Sequence, residues 1–235
     1  MGCMLRTDHL AQADRHPVRI DTTLGTVRFS VLLGSEELPA EPDTVWRLAN
    51  GSHLYRWRHP AATVDVLLGG IDGLPWGDGA PVPLWAAIWQ VRARAGISGL
   101  VVSAQLTDMP VDADSGPDSG ECLAAVSAEN EEFMVSIGGP DYELLAAQAV
   151  DGRLIPARWA QLLPADEDET TVEYGVRYTG PAGVAWHLPG LTTAEVARLC
   201  ITTAWCPRDD DRPAAWFAVD LPLDTAYHQL VTDPN

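Results

Sequence analysis

Apolar and polar positions alternate at the start of the chain. Val27, Phe29, Val31 and Leu33 place four apolar side chains on one face of a strand over 26–33, which the turn 22–25 pairs with a strand over 18–21. The strongest local signal is Asn50-Gly51 between two apolar segments, 45–49 and 52–58. A two-residue type I′ turn there sets Ala49 opposite Ser52, Leu48 opposite His53, Arg47 opposite Leu54 and Trp46 opposite Tyr55. In that register one ribbon face carries Trp46, Leu48, His53, Tyr55 and Trp57, and the reverse carries Val45, Arg47, Leu54, Arg56 and Arg58. A strand over 63–68 and a glycine-rich loop over 69–83, holding Trp76, come next.

The period then changes. Leu84, Ile88, Val91 and Ala95 recur at helical spacing, Pro83 precedes them and Gly96 follows, so a helix is expected over 84–95. Strands are expected over 100–106 and 133–137, and a short helix over 141–150 with Asp141 as its N-cap. The polar, acidic stretch 107–121 and the patch 166–169 read as exposed loops. Alternation returns at 171–178, 184–188, 198–205 and 214–221, which suits an antiparallel meander, although 192–200 fits a helical period as well. The run Trp186-His187-Leu188-Pro189-Gly190-Leu191, with Glu195 before a hydrophobic strand, resembles bacterial β-sandwich modules; the resemblance implies a sandwich-like C-terminal half. The expected fold class is therefore α+β and mainly β: antiparallel sheets and hairpins with one or two packed helices. Residues 1–106 form an N-terminal sheet plus helix, 107–121 an acidic loop and 122–235 a C-terminal β region, with one continuous domain as the alternative.

Charge narrows the partners. Thirty-three acidic residues face fifteen basic ones in 235 residues, a formal charge of -18, and every basic residue is arginine. Such a field repels a polyanion, so nucleic acid is excluded as a partner, and it speeds encounter with a basic one. The absence of lysine excludes Schiff-base and P-loop lysine chemistry. No apolar run is long enough for a membrane helix, and the N-terminal segment lacks the apolar centre of a signal peptide. Met1-Gly2-Cys3 is followed by Arg6 where a myristoylation site needs Ser or Thr. A cytoplasmic location is expected, and the four cysteines read as buried thiols.

Candidate chemistry is sparse, and no cofactor is expected. The six histidines show no zinc-ligand spacing. His187 and Asp220, expected on neighbouring strands, are the first place to look for an acid–base pair. Asp112, Asp114 and Asp118 have the spaced carboxylates of a calcium loop, but Pro117 stands where such a loop needs glycine. Nine tryptophans remain, and Trp46, Tyr55 and Trp57, backed by Arg47, Arg56 and Arg58, form the expected binding surface. Two functions follow. One is a non-enzymatic acidic binding protein, such as an immunity-type inhibitor or adaptor, holding a basic protein partner. The other is a small-molecule hydrolase or isomerase working through Asp/His chemistry. Oligomeric state is not legible.

Overall fold

The computed structural model describes residues 10–71, 82–164, 173–208 and 214–231. In chain order its strands are β1 (Ala11–Ala13), β2 (Arg19–Thr22), β3 (Gly25–Leu33), β4 (Glu36–Glu37), β5 (Thr44–Arg47), β6 (His53–Arg58), β7 (Ala62–Ile71) and β8 (Leu84–Ala93). There follow β9 (Ile97–Thr107), β10 (Asp114–Pro117), β11 (Leu123–Glu129), β12 (Phe133–Pro140), β13 (Gly175–Thr179), β14 (Gly183–Leu191) and β15 (Val196–Pro207). Three short helices join them: α1 (Tyr142–Asp151), α2 (Ala214–Ala218) and α3 (Leu223–Val231), with a 3-10 turn at Ala157–Gln161. The fold is mainly antiparallel β, as the alternation implies.

Two sheets face each other. One has nine strands in the order β1-β5-β6-β7-β8-β15-β12-β11-β10, and the other runs β13-β14-β9-β3-β2, with β4 also paired to β3. Both sheets mix strands from either side of 107–121, because β8 pairs with β15 and β9 with β14. The main core lies between the sheets and includes Val27, Val31, Trp57, Val66, Trp89, Leu100, Trp186 and Ile201. A second apolar layer covers the outer face of the nine-stranded sheet, where Leu54, Leu67, Ile88 and Cys200 meet Ala215, Val219, Ala226 and Leu230.

That second layer explains one correction. Residues 84–95 are not a helix but the central strand β8, whose side chains are buried on both faces. A strand covered on both sides loses its polar alternation, and its apolar run then also satisfies a helical period. Residues 214–221 likewise differ from expectation: they hold α2 and a turn packed on that sheet, not a strand. The helix expected at 141–150 is present as α1, with the Asp141 carboxylate accepting from the Leu144 N–H at 2.8 Å. The expected polar loop 107–121 contributes the edge strand β10. The N-terminal Met1-Gly2-Cys3, most of the glycine-rich loop with Trp76, and the patch 166–169 lie outside the described residues.

The Asn50-Gly51 hairpin forms with a three-residue loop instead of two. Gly51 has φ +86 while Asn50 does not enter the left-handed region, and bonds Leu48 N–H to Ser52 O (2.8 Å) and Gly51 N–H to Leu48 O (3.1 Å) close the loop. The pairing is thus Arg47 with His53, Trp46 with Leu54 and Val45 with Tyr55, one residue away from the expected register. Because side chains alternate with period two, that single step moves Trp46 to the face opposite Tyr55 and Trp57.

Candidate functional site

The expected ribbon surface does not assemble. Tyr55 and Trp57 point between the sheets, where they are 2% and 5% exposed, and Trp57 stacks on Trp89 at 6.2 Å. Trp46 lies half-buried on the outer face beneath the Arg56 guanidinium, 5.2 Å from its ring. Arg56 is itself engaged: its Nε and Nη2 donate to the two oxygens of buried Asp65 at 2.6 and 2.9 Å. Arg58 and Arg47 are exposed; the Arg58 backbone N–H binds the Asp43 carboxylate, while Arg47 sits near His53 at the open end of the sandwich. The His53 ring approaches those of His16 (5.7 Å) and Tyr55 (6.1 Å), and burial, then His16 and Arg47, hold its pKa below the usual value.

His187 and Asp220 are also apart. His187 alternates with core residues Trp186 and Leu188, so it faces outward on the six-stranded sheet, where burial and then Arg177 depress its pKa. Asp220 follows α2 on the far side of the nine-stranded sheet. The two share no element because 214–221 is not a strand. Asp114 opens β10 and Asp118 follows it, so the extended backbone spreads the two over roughly 13 Å. Asp118 instead accepts from Ser127 Oγ at 2.8 Å, and Asp112 is exposed in the preceding loop. Among the described residues no group of three His, Cys, Asp or Glu side chains is placed to hold a metal ion.

What the structure does assemble around Asp220 is an apolar cleft of about 200 Å³ on the outer side of the nine-stranded sheet. Gly139, Cys200 and Thr202 form its floor, α1 supplies Leu144 and Gln148, and Leu221 and Leu223 close the far wall. Beside it the packing is tight: a Cβ at Gly138 would lie 2.8 Å from Val219 Cγ2 and 2.9 Å from Leu123 Cδ1. Thr202 Oγ is engaged by the carbonyls of Val219 (2.6 Å) and Gly138 (3.2 Å).

The rim is acidic. Asp220 and Asp224 line the mouth, and half-buried Cys122 feels, after burial, the carboxylates of Asp141, Glu143, Glu121 and Asp220, all of which push its thiol pKa up. Burial pushes the Cys200 thiol to about 12. Both thiols are therefore protonated near neutral pH and are poor nucleophiles. Among the described residues no histidine and no cation lines the cleft. The nearby Arg153 pairs with Asp151 at 2.5 Å and also feels the charge of Asp224. The arrangement can desolvate an aliphatic chain and pair a cation at its tip.

The histidine and tryptophan census does not point to this cleft. A different sequence signal does: between Arg94 and Arg153 there are eleven acidic residues and no Arg, Lys or His. That stretch builds β9 to β12 and α1; β10, β11 and β12 lie together at one edge of the nine-stranded sheet, where Arg208 pairs with Glu129 at 3.5 Å.

No protein-family model matches the chain, and no curated protein does. Among solved structures it is similar to a protein described as a kojibiose phosphorylase from the human microbiome, with 6% identity and a TM-score of 0.48 over 87% of this chain and 26% of that one. It is also similar to a polysaccharide lyase, with 13% identity and a TM-score of 0.34 over 80% of this chain and 26% of that one. The chain spans about a quarter of each, and likeness at these scores carries no argument about its site.

Proposed function

We propose that the protein is a non-catalytic, acidic binding module of the cytoplasm that holds a basic protein partner, in the manner of an inhibitor or adaptor. One observation carries this reading: the apolar cleft between α1 and α3 opens through a rim of carboxylates, with no cation among the described residues that line it. A partner lysine or arginine fits it, with the aliphatic stem on Leu144, Leu154, Leu221 and Leu223 and the charge at Asp220 and Asp224. The formal charge of -18 draws such a partner from a distance, which raises the association rate and makes it salt-sensitive.

Selection from a random peptide library on the immobilised protein tests the reading. The expected binders carry Lys or Arg beside apolar residues, weaken as salt rises, and shield Cys122 from a thiol reagent. Binders without basic residues, or binders that leave Cys122 fully reactive, would overturn it.

A further inference from the structure

A second cleft of about 150 Å³ opens on the opposite sheet, and the acidic rim plays no part in it. It arises from a gap in edge pairing. β2 pairs with β3 as far as Arg28, and β4 resumes at Leu32, leaving Phe29, Ser30 and Val31 without a strand on that side. The Val31 carbonyl turns into the gap to accept from the Leu38 N–H at 2.9 Å. In an antiparallel strand the backbone groups of alternate residues point to the same side, so the Phe29 N–H and C=O also face the gap. β3 holds an unbroken register with β9 through this stretch, and no described residue bonds those two Phe29 groups.

Below the gap the cleft has an aromatic floor. Phe29 leans on Trp89 at 5.8 Å, and Trp89 stacks on Trp57. The Trp57 N–H donates to the Pro39 carbonyl at 2.8 Å, and His59 Nε2 reaches Glu36 at 3.1 Å, so the 36–40 wall is tied to the other sheet. An apolar cavity of about 150 Å³ is the size that accepts a benzene ring. Ring-sized volume, aromatic walls and a backbone donor beside a backbone acceptor occur together here.

We propose that this cleft is a small-molecule site for a planar nitrogen heterocycle with a donor and an acceptor adjacent on one edge, of the lactam type. The ring lies against Phe29, Trp57 and Trp89, and its edge exchanges two hydrogen bonds with the Phe29 backbone. The pocket thereby reads the ring edge as well as the ring.

Amide and indole NMR signals of the full chain, titrated separately with 2-pyridone, N-methyl-2-pyridone and benzene, test this. 2-Pyridone should give saturable shifts at the Phe29 amide and the Trp57 indole, and N-methylation should weaken binding at least about tenfold, as expected for lost hydrogen bonds. In Phe29→Pro, which lacks the N–H but not the ladder to β9, the two pyridones should bind within about threefold of each other. Equal affinity of the unaltered chain for all three ligands, or no saturable shift at Phe29 with 2-pyridone, would overturn the proposal. The ligand series is read on the unaltered chain, so it decides the matter even where the variant fails to fold.

Discussion

Asp65 is 3% exposed and both its oxygens are taken by one arginine, Arg56. Removing the arginine leaves a buried carboxylate without a partner, so Arg56→Met should cost about 3–5 kcal/mol in denaturant unfolding. Replacing both partners by apolar residues should recover most of that loss. Glu195 gives a pH signature. Bonds from Arg158, then the Thr192 N–H, hold its carboxyl at about 2 against an ordinary 4.5. A depressed carboxylate stabilises the fold above its unfolded pKa and stops doing so as pH falls through the folded one. Chain and Glu195→Gln should therefore differ in stability at neutral pH and converge between about pH 4.5 and 2. His187 is a base whose pKa burial and then Arg177 lower, and its signature lies at higher pH. Its neutral form is favoured by the fold, so stability is complete above pH 6.5 and declines below it, and His187→Gln should flatten that decline. Thermal unfolding across pH checks both.

At the level of elements, glycines fix how strands, helices and rings approach. A Cβ on Gly139 would meet the Trp186 ring at 2.5 Å and the Cys200 carbonyl at 3.1 Å. Trp186 is fully buried and its N–H is bonded to the Pro140 carbonyl at 2.7 Å, so the ring has little room to yield. Gly139→Ala should cost about 1–3 kcal/mol, read as a lower denaturant midpoint. How far these elements are legible in the sequence depends on what covers them. β3 keeps a clear alternation, and α1 announces itself through Asp141 because its cap is a local interaction. β8 does not, since layers contributed by distant segments bury both its faces. The hairpin at Asn50-Gly51 is legible as a turn but not in its register. Whether one or both loop residues take positive φ depends on packing, here including the Asn50 Nδ2 bond to the Leu230 carbonyl of α3.

Across the whole molecule, charge and shape divide the work. The segment from Arg94 to Arg153 carries only acidic charges, while Arg47, Arg56 and Arg58 sit near the other end of the nine-stranded sheet. Net charge was readable from composition, but the cleft was not. Its floor comes from β12 and β15, its walls from α1 and the turn before α3, and no motif in the chain joins those four places. Of the aromatic residues expected at the surface, Tyr55 and Trp57 fill the inner face of β6, while Trp46 lies half-buried on the outer face. Among the described acidic residues Asp65 and Asp141 are buried, each held by its own hydrogen-bond partner. The central claim is that Asp220 and Asp224 hold the charge of a basic partner at the cleft mouth. The most direct measurement is the affinity of a selected basic peptide for the unaltered chain and for the Asp220→Asn/Asp224→Asn variant. A loss of at least about tenfold, with a smaller salt dependence in the variant, is predicted; unchanged affinity in a folded variant would contradict the account.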